Sequence, residues 1–152
     1  MEFITLGCGN KFDISKFEPI KNEPEFCKPK GGLWSSPVCS DSGWRWFCEG
    51  EDFEVDKINS SEFKFRLKDG SKVYMIDSIS DLLNIPYKIN SRSRIYGKLI
   101  DFEKMATEYD AIYLTSNGEW MTRYSDYEYG MSLYGWDCEC LLVLRPENIE
   151  VI

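Results

Sequence analysis

Residues 134–144 read YGWDCECLLVL, and in them two carboxylates, Asp137 and Glu139, stand directly before one of the most apolar runs of the chain. On an extended strand, side chains two residues apart point to the same face. That period sets Asp137, Glu139, Leu141 and Val143 on one face and Trp136, Cys138, Cys140 and Leu142 on the other. The second face reads as core. The first turns from acidic to apolar along its length, as expected of a strand that enters the protein from the floor of a cleft.

Upstream of this strand, residues 124–134 (YSDYEYGMSLY) hold four tyrosines without a usable period and read as an exposed loop. Residues 111–115 predict a strand that ends at an Asn117-Gly118 turn, with residues 119–123 returning as another strand. Residues 62–76, EFKFRLKDGSKVYMI, alternate on both sides of Asp69-Gly70, which predicts a β-hairpin. Helices are expected after Asp41 or Ser42 as a cap, with Trp44, Phe47 and Cys48 on one face, over residues 78–83 before Pro86, and from Asp101 to residue 109. Residues 3–8, 33–35 and 149–152 read as further strands, and residues 87–98 as polar and irregular. Strands outnumber helices, and the class is α+β.

The 152-residue chain is 43% hydrophobic and 15% aromatic, enough for one compact domain over residues 1–152. No apolar run approaches the roughly twenty residues that span a bilayer. The opening MEFITLGCGNKFD has none of the features of a secretory signal, so the expectation is a cytoplasmic protein with no membrane partner. In that setting the six cysteines read as buried thiols rather than disulfides. With no histidine and no CxxC pair, no metal site is expected. A net charge of −8 opposes non-specific binding to a phosphate backbone, and the clusters Lys28/Lys30 and Arg92/Arg94/Lys98 read as solvated loops.

The C-terminal pattern Asp137-Cys138-Glu139-Cys140-Leu141-Leu142-Val143-Leu144-Arg145-Pro146 resembles the catalytic end of the ADP-ribosyltransferase superfamily. Leu33-Trp34-Ser35-Ser36-Pro37 resembles the family's second motif, an aromatic and small hydroxyl-rich step on a strand facing the NAD pocket. The layout is also similar to that of small phage and bacterial proteins carrying a GGLW step and a YGWDCE step. The resemblance implies an ADP-ribosyltransferase-like fold, with two packed, mainly antiparallel sheets and short flanking helices around an NAD cleft. It implies NAD as substrate and a macromolecular acceptor, a protein side chain or a nucleic-acid base, in phage–host conflict or as a toxin with an antitoxin or inhibitor partner.

On this resemblance Glu139 stabilises the oxocarbenium-like charge that develops on the ribose as nicotinamide leaves, and Asp137 orients the acceptor. Ser35 or Ser36 fixes the Glu139 rotamer, and Trp34 walls the nicotinamide pocket. The arginine or histidine usual on the family's first strand is absent from FITLGCG. Thr5 or the backbone around Gly7 and Gly9 stands in for it, with Lys28, Arg45 or Arg123 meeting the diphosphate. Tyr127, Tyr129 and Tyr134 are the expected acceptor contacts. Bland roles remain open beside these: a solvated sheet end for the two acids, a core aromatic for Trp34, a strand end for Ser-Ser-Pro, and packing for Trp44 and Trp46. Two other functions also suit the sequence, an acidic protein that occupies a partner's basic groove and an NAD glycohydrolase that uses water as acceptor.

Overall fold

The computed structural model describes residues 1–91 and 97–152. Arg92 and Arg94 of the second basic cluster lie outside the described residues. The chain is mixed α/β, with a multi-stranded sheet and a few short helices, compatible with the α+β class. Its strands are β1 (Phe3–Leu6), β2 (Leu33–Pro37), β3 (Glu62–Leu67), β4 (Val73–Ile76), β5 (Tyr87–Ile89), β6 (Lys98–Ile100), β7 (Ala111–Leu114), β8 (Cys140–Val143) and β9 (Ile149–Val151). Its helices are α1 (Trp44–Gly50), α2 (Val55–Ser60), α3 (Ile79–Leu83), α4 (Phe102–Glu108), α5 (Ser116–Thr122) and α6 (Asp126–Tyr129).

Seven strands form one sheet in the order β4-β7-β8-β2-β1-β3-β9, parallel only between β4 and β7. The strand β2 changes partner midway. Leu33 to Ser35 pair with β8, whereas Ser36 and Pro37 pair with β1. Three strand spacings separate β1 from β7, about 14 Å in a flat sheet. Yet the rings of Phe3 on β1 and Tyr113 on β7 lie 6.1 Å apart. The sheet therefore bends at β2, and its two halves face each other across an inner core that includes Phe3, Phe65, Tyr113, Leu141 and Val143.

The outer face carries the larger core, in which Trp136, Cys138, Cys140 and Leu142 meet Phe102 and Met105 of α4. Leu141 and Leu142 thus point to different cores, and both are fully buried. Each such side chain contributes about 1.5–3 kcal/mol by leaving water. Nearer β1, Cys48 of α1 and Ile58 of α2 cover Leu6 in a third apolar cluster. Helices of four to seven residues are too short to stand alone and are held by this packing.

Several expectations are corrected. The Asp69-Gly70 turn does not close a hairpin, because β3 pairs with β1 and β9 while β4 runs parallel to β7. The turn instead carries the chain from one half of the bent sheet to the other. Residues 116–122 form α5 rather than a turn and a returning strand. Thr115 caps it by accepting from Gly118 N at 2.9 Å, and Gly118 lets the helix lie against the Ile76 carbonyl, which an added Cβ would approach to 2.0 Å.

The tyrosine-rich stretch contains α6, and residues 87–98, expected to be irregular, begin and end in the paired strands β5 and β6. Neither Asp41 nor Ser42 caps α1. Its N-cap is Gly43, and Trp44 N donates to Ser36 Oγ at 2.8 Å. Trp46, expected to pack, is 59% exposed. No helix among the described residues is long and apolar enough to cross a membrane. All six cysteines are free thiols; Cys27, Cys48, Cys138 and Cys140 are buried, while Cys8 and Cys39 are exposed.

Candidate functional site

The strand β8 begins at Cys140, so Asp137 and Glu139 sit on the segment that leads into it rather than on the strand. Gly135, at φ +100°, turns this segment inward. Trp136 then buries its ring against Trp34 of β2, with centroids 4.7 Å apart and edge to face, and its Nε1 donates to the Cys27 carbonyl at 3.0 Å. The bend breaks the expected two-residue parity, and the two acids diverge.

Asp137 lines a cavity of about 250 Å³ on the outer face, together with Lys28, Trp34, Ser35, Ser36 and Trp136. Ile4 and Leu6 of β1, Trp44 of α1, Lys57 and Ile58 of α2, and Cys8, Glu54, Cys138 and Cys140 complete its walls. Arg123 Nη2 lies 3.3 Å from Asp137 Oδ1, and Lys28 Nζ 3.7 Å from Oδ2. Lys28 also stands 5.7 Å from the centre of the Trp34 ring. Arg123 is itself held by Glu119 at 2.6 Å, and its guanidinium stacks within 6 Å of both Tyr124 (5.9 Å) and Tyr134 (5.8 Å). The hydrogen bond that Arg123 donates to Glu119 pushes the Arg123 pKa further above its ordinary value and keeps the guanidinium charged.

Glu139 is not among the residues lining that cavity. The Tyr113 hydroxyl, projecting from the inner core, donates to its Oε1, and Ser40 Oγ donates to Oε2 at 2.5 Å. Its backbone is fixed as well: its N–H donates to the Ser42 carbonyl at 2.9 Å, and its carbonyl accepts from Ser36 Oγ at 3.0 Å. Burial, reinforced by the bond to Glu139, pushes the Tyr113 hydroxyl pKa well up. The expected partners of the Glu139 carboxylate, Ser35 and Ser36, do not hold it. Ser35 Oγ donates to the Leu141 carbonyl at 3.2 Å, and Ser36 reaches only the Glu139 backbone.

The remaining sequence-derived residues divide. Thr5 is 1% exposed and donates to the Trp34 carbonyl at 3.3 Å, inside the sheet rather than in the cavity. Arg45 is tied to Asn59 at 2.7 Å and Glu62 at 2.9 Å and does not line the cavity. Tyr127, at 99% exposure, and Tyr129 lie on α6, whereas Tyr134 joins the Arg123 stack. Sequence reasoning missed Tyr113, Ser40 and Lys57. Tyr113 carried a signal as the one residue with a hydroxyl in the buried AIYL strand; Ser40 carried none.

A second, open cavity of about 660 Å³ lies between residues 8–13 and the Gly31–Gly32 bend, and it shares Cys8 and Trp34 with the first. Among the described residues no cluster of His, Cys, Asp and Glu is arranged to hold a metal. The site instead offers tryptophan walls, two lysines and two carboxylates, Asp137 beside Lys28 and Glu54 paired with Lys57 at 2.9 Å, a set that suits a planar aromatic ring joined to a sugar and an anionic group. No family model, no curated protein and no solved structure matches the chain.

Proposed function

We propose that this protein is an NAD-cleaving, mono-ADP-ribosyltransferase-like enzyme that takes the nicotinamide ribose into the Trp34 cavity and passes ADP-ribose to a macromolecular acceptor. The observation that carries this reading is the shared lining of one cavity by Trp34, Ser35, Ser36, Lys28 and Asp137, at the entry to a central strand. The bent sheet, with β2 and β8 adjacent, supports the ADP-ribosyltransferase-like layout implied by the sequence. The neighbouring cavity offers room for the adenosine half, with Trp34 standing between the two.

The geometry divides the acids differently from the sequence-based expectation. Asp137 faces the ribose, and Glu139 holds the strand entry in place through Tyr113 and Ser40. When the diphosphate draws Lys28 and Arg123, the Asp137 oxygens turn to the 2′-hydroxyl and to the positive charge building at C1′. The C1′–N bond breaks, nicotinamide leaves with the bonding pair, and the acceptor's lone pair closes on C1′ with loss of its proton. Trp34 and Trp136, packed edge to face, wall the site that holds the leaving ring.

Nicotinamide release from NAD tests this directly. Asp137→Asn, which keeps shape and removes charge, is expected to lower release by about 10²–10³-fold at little change in NAD affinity. Glu139→Gln is expected to retain a larger share of turnover but to melt earlier. Near wild-type cleavage by Asp137→Asn overturns the assignment, and wild-type protein that binds NAD without cleaving it overturns the enzyme. Label appearing only as free ADP-ribose identifies a glycohydrolase. One observation favours a binding-only protein: Asp137 is already ion-paired on both oxygens.

A further inference from the structure

Trp120 is 78% exposed and Tyr124 71%, far more than aromatic rings of this size normally show to water. They stand one helical turn apart, because Arg123 continues α5 with helical angles and donates its N–H to the Glu119 carbonyl. The Tyr124 ring meets Tyr134 at 5.8 Å, and the one-turn spacing sets Trp120 on the same side of the helix, extending the pair into a row. Arg123 lies against the last two rings and reaches Asp137, so the row runs to the mouth of the cavity. Two residues after Tyr124 the chain enters α6, whose Asp126 and Glu128 make no ion pair among the described residues, though the Tyr129 hydroxyl bonds Glu128.

An aromatic platform that binds single-stranded nucleic acid is set in a cationic groove that tracks the phosphates. Here the cation on the row, Arg123, is held by Glu119 and Asp137, and the flanking charges are acidic. The row has the opposite complementarity. Aromatic faces next to carboxylates attract guanidinium and ammonium groups. Arg123 already displays that contact within the molecule, stacked on two tyrosines and closed by two acids.

We propose that the face formed by Trp120, Tyr124 and Tyr134, with Asp126 and Glu128 at its side, docks a basic, arginine- or lysine-bearing segment of a partner polypeptide. That this segment is the acceptor rests on the function proposed above. Docking itself does not, and it is measured without NAD, so a failure of either idea is separable from the other.

The probe is a short fluorescein-labelled peptide of alternating arginine and glycine, followed by anisotropy against the full chain. A matching glutamate–glycine peptide and a labelled oligothymidine serve as competitors in kind. The basic peptide is expected to saturate, to weaken with salt, and to bind at least about a hundredfold more tightly than either competitor. Combining Trp120→Ala with Tyr124→Ala is expected to weaken it by about tenfold or more, as is Asp126→Lys with Glu128→Lys. Trp120, Tyr124 and Glu128 are exposed and Asp126 is half-buried, so an unchanged melting temperature checks the fold of each variant. Trp46→Ala removes a comparably exposed tryptophan from α1 and is expected to change nothing. Oligothymidine binding as tightly as the basic peptide, no saturable peptide binding, or an equal loss in Trp46→Ala overturns the proposal.

Discussion

Asp137 and Glu139 are separated by one residue, yet they belong to different regions of the molecule. Glu139 sits where the two halves of the bent sheet close on each other, with both carboxylate oxygens and both backbone groups taken by neighbours. Asp137 sits where the outer face opens into a cavity and, through Arg123, toward the exposed rings of Trp120 and Tyr124. A region that satisfies every polar group internally gains rigidity and has nothing left to offer a ligand. A region whose acid, at 23% side-chain exposure, is held by two cations at 3.3 and 3.7 Å can exchange those partners for a ligand's. The same short segment thus supplies one anchor and, in the function proposed, one working group.

Leu141→Ala probes this division with the largest expected effect. Leu141 is fully buried in the inner core, and its truncation is expected to cost about 2–5 kcal/mol, read as a lower denaturation midpoint at unchanged slope. Binding in the outer cavity should hold within about twofold, since the Leu141 side chain lies in the inner core and the substitution keeps the backbone carbonyl that accepts from Ser35. A large loss of ligand affinity in the folded variant would show that the two faces are coupled through β8.

The alternation around β8 was legible because both faces are buried and a period of two leaves little freedom; Trp136, Cys138, Cys140 and Leu142 fall on one core as expected. Parity failed only at Asp137, where Gly135 and the Trp136 anchor turn the chain before the strand begins. The Asp69-Gly70 step was legible as a turn, and Gly70 does take φ +84°. What it connects was not. Turn chemistry acts over four residues, whereas the partners of β3 and β4 come from residues 3–6, 149–151 and 111–114.

Four of the seven cofactor positions read from the sequence, Lys28, Trp34, Ser35 and Ser36, line the cavity, and Arg123 reaches its acid. Thr5 and Arg45 do not. Thr5 alternates to the other face of β1, and Arg45 is drawn to Glu62 across α1 and α2. The hydroxyls that hold Glu139 come from Ser40 and Tyr113, whose approach depends on the bend of the sheet, which no local pattern encodes.

Gly118→Ala tests the support of the outer region. The new Cβ would fall 2.0 Å from the Ile76 carbonyl, a backbone atom that cannot swing aside, so α5 must lift from the end of β4. The expected cost is about 1–3 kcal/mol. Because Trp120 rides on α5, basic-peptide affinity should fall in the same variant, while the bond from Tyr113 to Glu139 persists. Stability lost with peptide binding intact would mean that the aromatic row is not positioned by this helix.

The smallest effect belongs to the inner pair and is read on the alkaline side. Tyr113 is 8% exposed, and burial together with its bond to Glu139 raises its folded-state pKa above the roughly 10 of an unfolded tyrosine. Its contribution is therefore complete below about pH 10, and it declines as pH rises beyond that point, because the unfolded chain releases the proton while the folded chain retains it. For one such group the loss is about 1.4 kcal/mol per pH unit. Tyr113→Phe removes the hydroxyl and should cost about 1–2 kcal/mol at neutral pH, since Glu139 Oε1 loses its donor. Between pH 10 and 11 the same variant should lose stability less steeply than the wild type. Tyr74, whose pKa is also raised by burial, is present in both proteins, so the difference in slope isolates Tyr113. Parallel curves in that window would mean that Tyr113 ionises in the folded protein as freely as in the unfolded chain, and the inner region would then be as open as the outer one.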